Sequence, residues 1–248
     1  AAFDEVFRYT RELVQDTQGL TANKQRIRWW AALAMLRCIV SSPAAGAMTL
    51  RNRAAGLAGE DGAELTVEDL NALGNQVIFD QDASDVTESD DLVPGADTIE
   101  DESPNAAERR RLRTMAEKIE ALGGEQDRKL QETIRIVREL IRDGFHPIVF
   151  CRFLATADYV AEALRKELRN IEVVSVTGTL PPEERAARVA ELGTYESRVL
   201  VATDCLSEGI NLQDHFTAVL HYDLAWNPTR HEQREGRVDR YGQKAKTV

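Results

Sequence analysis

Three cysteines and four histidines among 248 residues restrict the chemistry that depends on them. Cys38, Cys151 and Cys205 stand far apart, are odd in number and lack the paired spacing of a zinc site. The histidines form no ligand pattern, so neither a disulfide framework nor a metal centre is expected. Dispersed thiols of this kind suit a reducing, cytoplasmic setting. Long apolar runs are absent as well. No stretch approaches the roughly 18 residues that a membrane span requires, and AALAML is too short, and lacks a basic leader, to act as a secretion signal. No Gly-Lys pair is followed by Ser or Thr, so these residues hold no phosphate-cradling loop of the G-x-x-x-x-G-K-S/T type. One absence is local: residues 60–102 carry fifteen carboxylates and no lysine or arginine.

That block accounts for the formal net charge of −11. Residues 1–59 carry eight basic and four acidic side chains, and residues 103–248 carry 23 of each, so the flanks are basic and neutral. The simplest reading of the block, interrupted by SDVTESDDLVPGAD, is a mobile, solvated insertion whose like charges keep it from packing. The alternative is an acidic mimic that screens a basic groove until a partner arrives. The remainder is long enough for one α/β core and a smaller attachment. The expected division is a helical segment at 1–59, an acidic insertion or linker at 60–103 and an α/β domain at 104–248.

From Pro104 onward the periodicity alternates. NAAERRRLRTMAEKIEAL reads as a helix with a Gly-Gly stop, and DRKLQETIRIVRELIRDG as a second, with Leu130, Ile134, Val137, Leu140 and Ile141 on one face. PIVFC, EVVSV, RVLVAT and TAVLHYD are short β-branched and apolar runs. LATADYVAEALRKEL and PPEERAARVAEL lie between them as helices, the second with proline at its start. Near-continuously apolar strands separated by helices imply a doubly wound parallel sheet covered on both faces. In such a sheet the ligand site lies beyond the carboxyl ends of the strands. That rule selects Cys151 and Arg152, Thr177 and Gly178, Thr203 to Gly209, and Asp223 to Pro228.

After the last strand comes HEQREGRVDRYGQ. On a helix turning roughly 100° per residue, Arg230, Gln233, Arg237 and Arg240 share an arc of about 80°, while Glu232, Glu235 and Asp239 fall on the far side. A solvated helix with scattered ion pairs would mix signs on every face. Segregated charge, with Gly236 inside a helix where glycine costs about 1 kcal/mol relative to alanine, points to a closely approached anion. Guanidinium forks favour phosphate.

HYDLAWNPTRHEQREGRVDRYGQ resembles motif VI of superfamily 2 helicases, in the form found in Swi/Snf-like DNA translocases, through Gln233, Arg234, Gly236, Arg237 and Arg240. Tyr222, Asp223, Trp226, Asn227 and Pro228 match the Swi/Snf version of the preceding stretch. VLVATDCLSEGINLQ is similar to motif V, at Thr203, Asp204, Ser207, Glu208, Gly209 and Asn211. PIVFCRFLATADYV resembles motif IV, and VTGTLPPEERAARV the turn and helix after it, through Gly178 and Arg185. LAMLRCIVSSPAAGAMTL at 33–50 and Glu208 look most like the bacterial RapA-type branch.

The resemblance covers residues 128–243 most specifically and implies the second RecA-like lobe of a motor, with ATP held between two lobes. It makes Arg237 and Arg240 arginine fingers reaching the β and γ phosphates, with Gln233 organising that contact. Gly209, Asn211 and Asp223 are placed on the nucleotide side, and Thr203, Ser207, Arg152, Thr177 and Gly178 on the nucleic-acid side. The Mg²⁺ that accompanies ATP falls to the N-terminal lobe, absent from this chain. DESP at 101–104 is linker rather than a metal-binding acidic box, since no buried strand precedes it. The segment alone is therefore expected not to hydrolyse ATP. The implied partner is nucleic acid, duplex DNA first, gripped through its phosphates, beside the companion lobe and without a membrane. The alternatives are a non-catalytic RecA-like module that binds a partner protein, and a lobe of an RNA helicase. In the N-terminal segment, Trp29, Trp30, Leu33, Leu36 and Ile39 are expected mostly in the core. Lys24, Arg26, Arg28, Arg37, Arg51 and Arg53 are expected to form a basic surface toward phosphates.

Overall fold

The computed structural model describes residues 2–15, 21–55, 105–206, 210–241 and 243. The acidic block and the 101–104 segment lie outside the described residues, as do Ser207, Glu208 and Gly209. The chain divides into two compact units, whose described parts meet between Gly123 and Gly124.

The first unit is helical: α1 (Ala2–Gln15), α2 (Ala22–Ser41), α3 (Pro43–Ala55) and α4 (Ala106–Glu120). Local signals set the ends. Thr21 caps α2 by accepting the Lys24 N–H, Ser42 accepts the Ala45 N–H at 3.0 Å as the chain enters α3, and Asn105 accepts from Ala107 and Glu108 at 3.0 and 2.9 Å. On α4, Leu112, Met115, Ala116 and Ile119 recur at helical spacing and bury against Val6, Tyr9, Met35, Ile39 and Leu50. The division at residue 104 had given this helix to the α/β domain. Its apolar face instead completes the N-terminal core. Gly46 lets α3 approach: a Cβ there would sit 3.1 Å from both Ile119 and Ile39.

Two expectations for this unit are corrected. Arg53 is only 7% exposed, and its Nε donates to the Tyr9 hydroxyl at 2.7 Å, which itself donates to Glu108 at 2.7 Å. Arg51 forks onto Glu120. Arg53 therefore ties α3 to α1 and α4 from inside, while Arg51 stays exposed with its charge paired to a carboxylate of α4. Trp29 is 54% exposed and Trp30, Leu33 and Leu36 are only partly buried, because α2 buries its alanines, Met35, Cys38 and Ile39 instead.

The second unit opens with a 3₁₀ turn at Gly124–Gln126 and runs α5 (Arg128–Arg142), β1 (Pro147–Phe150), α6 (Leu154–Glu167), β2 (Glu172–Val176), α7 (Pro182–Leu192), β3 (Arg198–Ala202), β4 (Ala218–His221) and α8 (Pro228–Glu235). The strands form one parallel sheet in the order β2-β3-β1-β4, with Val149 opposite both Val201 and Leu220. This is the doubly wound architecture that the alternation implied, and the RecA-like fold that the resemblance implied. The period of two in each strand sorts side chains between two cores. Val149, Cys151, Val173, Val199 and Val201 pack under Leu130, Ile134, Val137 of α5 and Val160, Leu164 of α6. Ile148, Phe150, Val176, Leu200 and Ala202 face Val189, Leu192, Phe216 and Val238. Leu140 and Ile141, expected on the buried face of α5, are partly exposed where the helix runs out. With both faces covered, only the strand ends remain for ligands.

The three cysteines are free and buried, and among the described residues no His, Cys, Asp and Glu cluster could hold a metal ion. Among them, too, no helix is long and apolar enough to cross a membrane.

Candidate nucleotide and nucleic-acid site

At the carboxyl edge of the sheet the chain leaves β1 through Cys151–Phe153, β2 through Thr177–Leu180, β3 through Thr203–Leu206 and β4 through Tyr222–Asn227. Asp223 braces this edge. Its Oδ1 accepts Lys129 Nζ at 2.8 Å from the start of α5, its Oδ2 accepts the Arg152 N–H at 2.9 Å, and its carbonyl accepts Arg234 Nη1 at 3.0 Å. Lys129 also lies 4.0 Å from the Tyr222 ring centroid. Both carboxylate oxygens of Asp223 are engaged and the residue is buried. In this structure it serves as a scaffold of the edge to which the sequence assigned it.

Helix α8 begins where Asn227 accepts the Thr229 N–H at 3.0 Å and Pro228 occupies the first turn, where a missing N–H is harmless. It ends at Glu235, with Gly236 as its cap, rather than running through Arg240 as the wheel assumed. The reason is Val238, the one apolar side chain between His231 and Arg240. It is fully buried against the Phe216 side of the sheet, and turning it inward bends the chain. Gly236 is accordingly needed for its own helix: a Cβ would lie 3.0 Å from the Glu232 carbonyl, which the Gly236 N–H meets at 2.7 Å.

The guanidiniums therefore do not form one row. Arg234, only 2% exposed, forks onto Asp204, Nε to Oδ1 at 2.7 Å and Nη2 to Oδ2 at 2.8 Å, above the Phe150 ring at 5.3 Å. Arg230 reaches the same carboxylate, Nη1 to Oδ2 at 3.4 Å. Arg237 donates through Nη1 to the Leu206 carbonyl. Arg240 is exposed, its Nε on the Gly236 carbonyl at 2.9 Å, and Gln233 is partly buried. Burial alone would raise the pKa of Asp204, but the Arg234 hydrogen bonds and the charges of Arg234, Arg230 and Arg237 outweigh it and hold the carboxyl below its usual range. Arg234 is pushed down by burial and more than restored by Asp204. Arg237 differs: burial lowers its pKa on balance. Among the described residues its guanidinium hydrogen-bonds a neutral carbonyl and no carboxylate, so it is a partly desolvated cation turned to the ligand edge. An anion beside it would lower its energy.

The remaining expected residues divide. Asn211 is exposed just before a short 3₁₀ turn, Leu212–Asp214, and Arg152 and Gly178 are partly exposed at the edge. Thr203 and Thr177 are buried. Thr203 Oγ1 donates to Cys205 Sγ at 3.2 Å, and Thr177 Oγ1 pairs with Thr179 Oγ1 at 2.9 Å. Both hydroxyls are engaged within the loops in this structure. Ser207 and Gly209 lie outside the described residues.

Sequence reasoning passed over Asp204 as an anchor and gave Arg185 no mechanical task. Arg185 is buried, with Nε on the Leu180 carbonyl at 2.7 Å and Nη1 on the Cys205 carbonyl at 2.6 Å. The loop after β3 is thus held at Asp204, Cys205 and Leu206 by arginines from two helices and the following turn. The signal was a charge in the loop sequence ATDC matched by two arginines of one later segment, Arg230 and Arg234. A second unforeseen cluster joins β4 to α8. His221 Nε2 lies 3.2 Å from Glu235 Oε1, its Nδ1 3.5 Å from Arg234 Nη1, and its ring 4.8 Å from that of His231. His231 Nε2 accepts the Ala225 N–H at 2.9 Å.

Residues 128–242 match the family described as helicase conserved C-terminal domain. The match falls within the second unit, whose parallel sheet has the RecA-like fold. Over 101 residues the chain is 36% identical to the ATP-dependent RNA helicase dbp8 of Aspergillus fumigatus, covering 41% of this chain and 19% of that protein. It is 33% identical over 101 residues to the ATP-dependent RNA helicase fal1 of Schizosaccharomyces pombe, covering 41% and 25%. The chain thus spans about a fifth to a quarter of these curated relatives, and they are not of the RapA-type group. Among solved structures it is similar to the Sulfolobus solfataricus SWI2/SNF2 ATPase core in complex with dsDNA, at 23% identity and a TM-score of 0.42 over 58% of this chain and 33% of that one. The Sulfolobus solfataricus SWI2/SNF2 ATPase C-terminal domain follows at 18% identity and 0.37, over 58% and 77%.

Proposed function

We propose that this chain supplies the second motor lobe of an ATP-driven nucleic-acid translocase, completing a nucleotide site whose phosphate-cradling loop and Mg²⁺ belong to an N-terminal lobe. The observation that carries the reading is Arg237, a partly desolvated cation at the sheet's ligand edge with a carbonyl for a partner. Arg240 stands exposed one turn further on. Guanidiniums so placed offset the charge that develops on a transferring phosphoryl group. Asn211, exposed beside the loop after β3, is assigned to the nucleotide side. The polymer is duplex DNA, on the likeness of the Asp223–Pro228 stretch to Swi/Snf-like motors, and its phosphates carry the grip. A second reading, an RNA helicase lobe, is favoured by the names of the curated relatives. The RapA-type assignment rests on residues 33–50 and Glu208 alone.

The test is ATP turnover by the intact protein, with both lobes, in the presence of duplex DNA, single-stranded DNA or RNA. Stimulation by duplex DNA and loss of that turnover in Arg240→Ala are expected. Preferential stimulation by RNA would replace the first reading with the second. Turnover by the 248-residue chain without its companion lobe would overturn the division of labour altogether.

A further inference from the structure

Two ties run in parallel between the loop after β3 and the α8 region. Asp204 meets Arg234, and two residues later the Leu206 carbonyl meets Arg237, three residues beyond Arg234. Arg234 is itself fixed from several sides: by the Asp223 carbonyl at 3.0 Å, by the Phe150 ring beneath it and by His221 at 3.5 Å. Among the described residues the carboxylate of Asp204 is hydrogen-bonded by guanidiniums of α8, from Arg234 and Arg230. Arg185 holds the same loop from α7, through the Cys205 carbonyl at 2.6 Å, but the fork is the contact that ties it to the helix leading into Arg237, so it sets where Leu206 presents its carbonyl relative to that arginine. We infer that Asp204 is a positioning residue for Arg237, joining the loop assigned to the nucleic-acid side to the arginine assigned to the phosphates. This inference rests on the motor reading above.

A plain structural ion pair makes a different prediction. Desolvation offsets most of the attraction in a buried pair, so replacing both partners with neutral groups of similar shape costs little stability, whereas removing one partner strands the other. The Asp204→Asn/Arg234→Gln double variant removes both charges and leaves a neutral amide in each place. A structural role leaves its turnover near that of the parent once folding is matched. A positioning role lowers kcat, because a displacement on the order of 1 Å of a group acting in the transition state costs about tenfold to a hundredfold. KM for ATP should then stay within about twofold, since ground-state binding is made elsewhere.

The experiment measures kcat, KM and thermal unfolding on the intact two-lobed protein for that double variant, for Asp204→Glu and for Arg237→Ala. Asp204→Glu keeps the charge but lengthens the arm by one methylene, so it tests register even if the double variant fails to fold. A fall in kcat with KM and unfolding temperature maintained, in either Asp204 variant, supports the inference. Parent-like kcat in a folded Asp204 variant while Arg237→Ala loses turnover overturns the inference alone. Undiminished turnover in Arg237→Ala overturns the motor reading and this inference with it.

Discussion

Replacing Arg237 with alanine in the intact protein separates a structural contribution from a catalytic one by size. Among the described residues the guanidinium makes one hydrogen bond, to the Leu206 carbonyl. Losing the donor leaves that carbonyl unmet, at a cost of about 1–3 kcal/mol. A domain stable by roughly 5–15 kcal/mol stays almost wholly folded after such a loss. The arginine-finger role is larger: about 10³- to 10⁵-fold in turnover, equivalent to roughly 4–7 kcal/mol of transition-state stabilisation. Unfolding cannot imitate that decrease. The assay is steady-state ATP hydrolysis with saturating nucleic acid, beside a thermal melt of the same preparation. Arg237→Ala should melt a few degrees lower and lose turnover by at least about a thousandfold. Turnover within about threefold of the parent, with the melt shifted as expected, would refute the assignment; that ratio is under 1 kcal/mol and belongs to a group that never meets the phosphates.

Two further outcomes follow from packing and protonation. Gly193 ends α7 against His215, and a Cβ there would fall 2.3 Å from His215 Nδ1. Gly193→Ala should destabilise by about 1–3 kcal/mol through overpacking, measured by chemical denaturation, and by clearly less in a His215→Ala background; equal costs in both would show that the ring is not the obstacle. His221 has its pKa lowered from 6.5 by burial, with Arg234 and His231 adding to the shift and Glu235 opposing it. The unfolded chain therefore binds the extra proton first, so this contribution to stability is complete above pH 6.5 and is lost as pH falls through the lowered folded value. Thermal melts between pH 7.5 and 5 should show a shallower decline in His221→Gln than in the parent, and parallel declines would remove His221 as the cause.

The α/β architecture was readable because neighbouring strand residues, such as Ile148 and Val149, belong to opposite cores, and each core demands apolar side chains. The helix at 106–120 was readable as a helix but not as a member of a unit. Its stripe of Leu112, Met115 and Ile119 fits any apolar surface, and only three-dimensional packing selects the N-terminal one. The stretch after α8 was misread because a wheel treats each residue as obedient to one axis. Burial of Val238 outweighs helix continuation, and Arg234 and Arg237 then separate into an internal clasp and an edge cation. Buried arginines are the hardest to foresee, since their partners, Asp204 and the carbonyls of Leu180, Cys205 and Leu206, are remote in the chain or are backbone. Thr203 and Thr177 were correctly found at the edge, but position along the chain does not say which way a hydroxyl turns.

Three distant points of the chain, Lys129, Arg152 and Asp223, converge on one carboxylate. The lobe therefore does not open at its first strand. A boundary drawn at Pro147 would sever the cation that steadies the loop leaving β4 and strip Leu130, Ile134 and Val137 from one face of the sheet. A graft of this unit should begin no later than the Gly124–Gln126 turn that leads into the Asp127 cap of α5, since one that honours the strands while omitting this helix would carry the arginines without their footing.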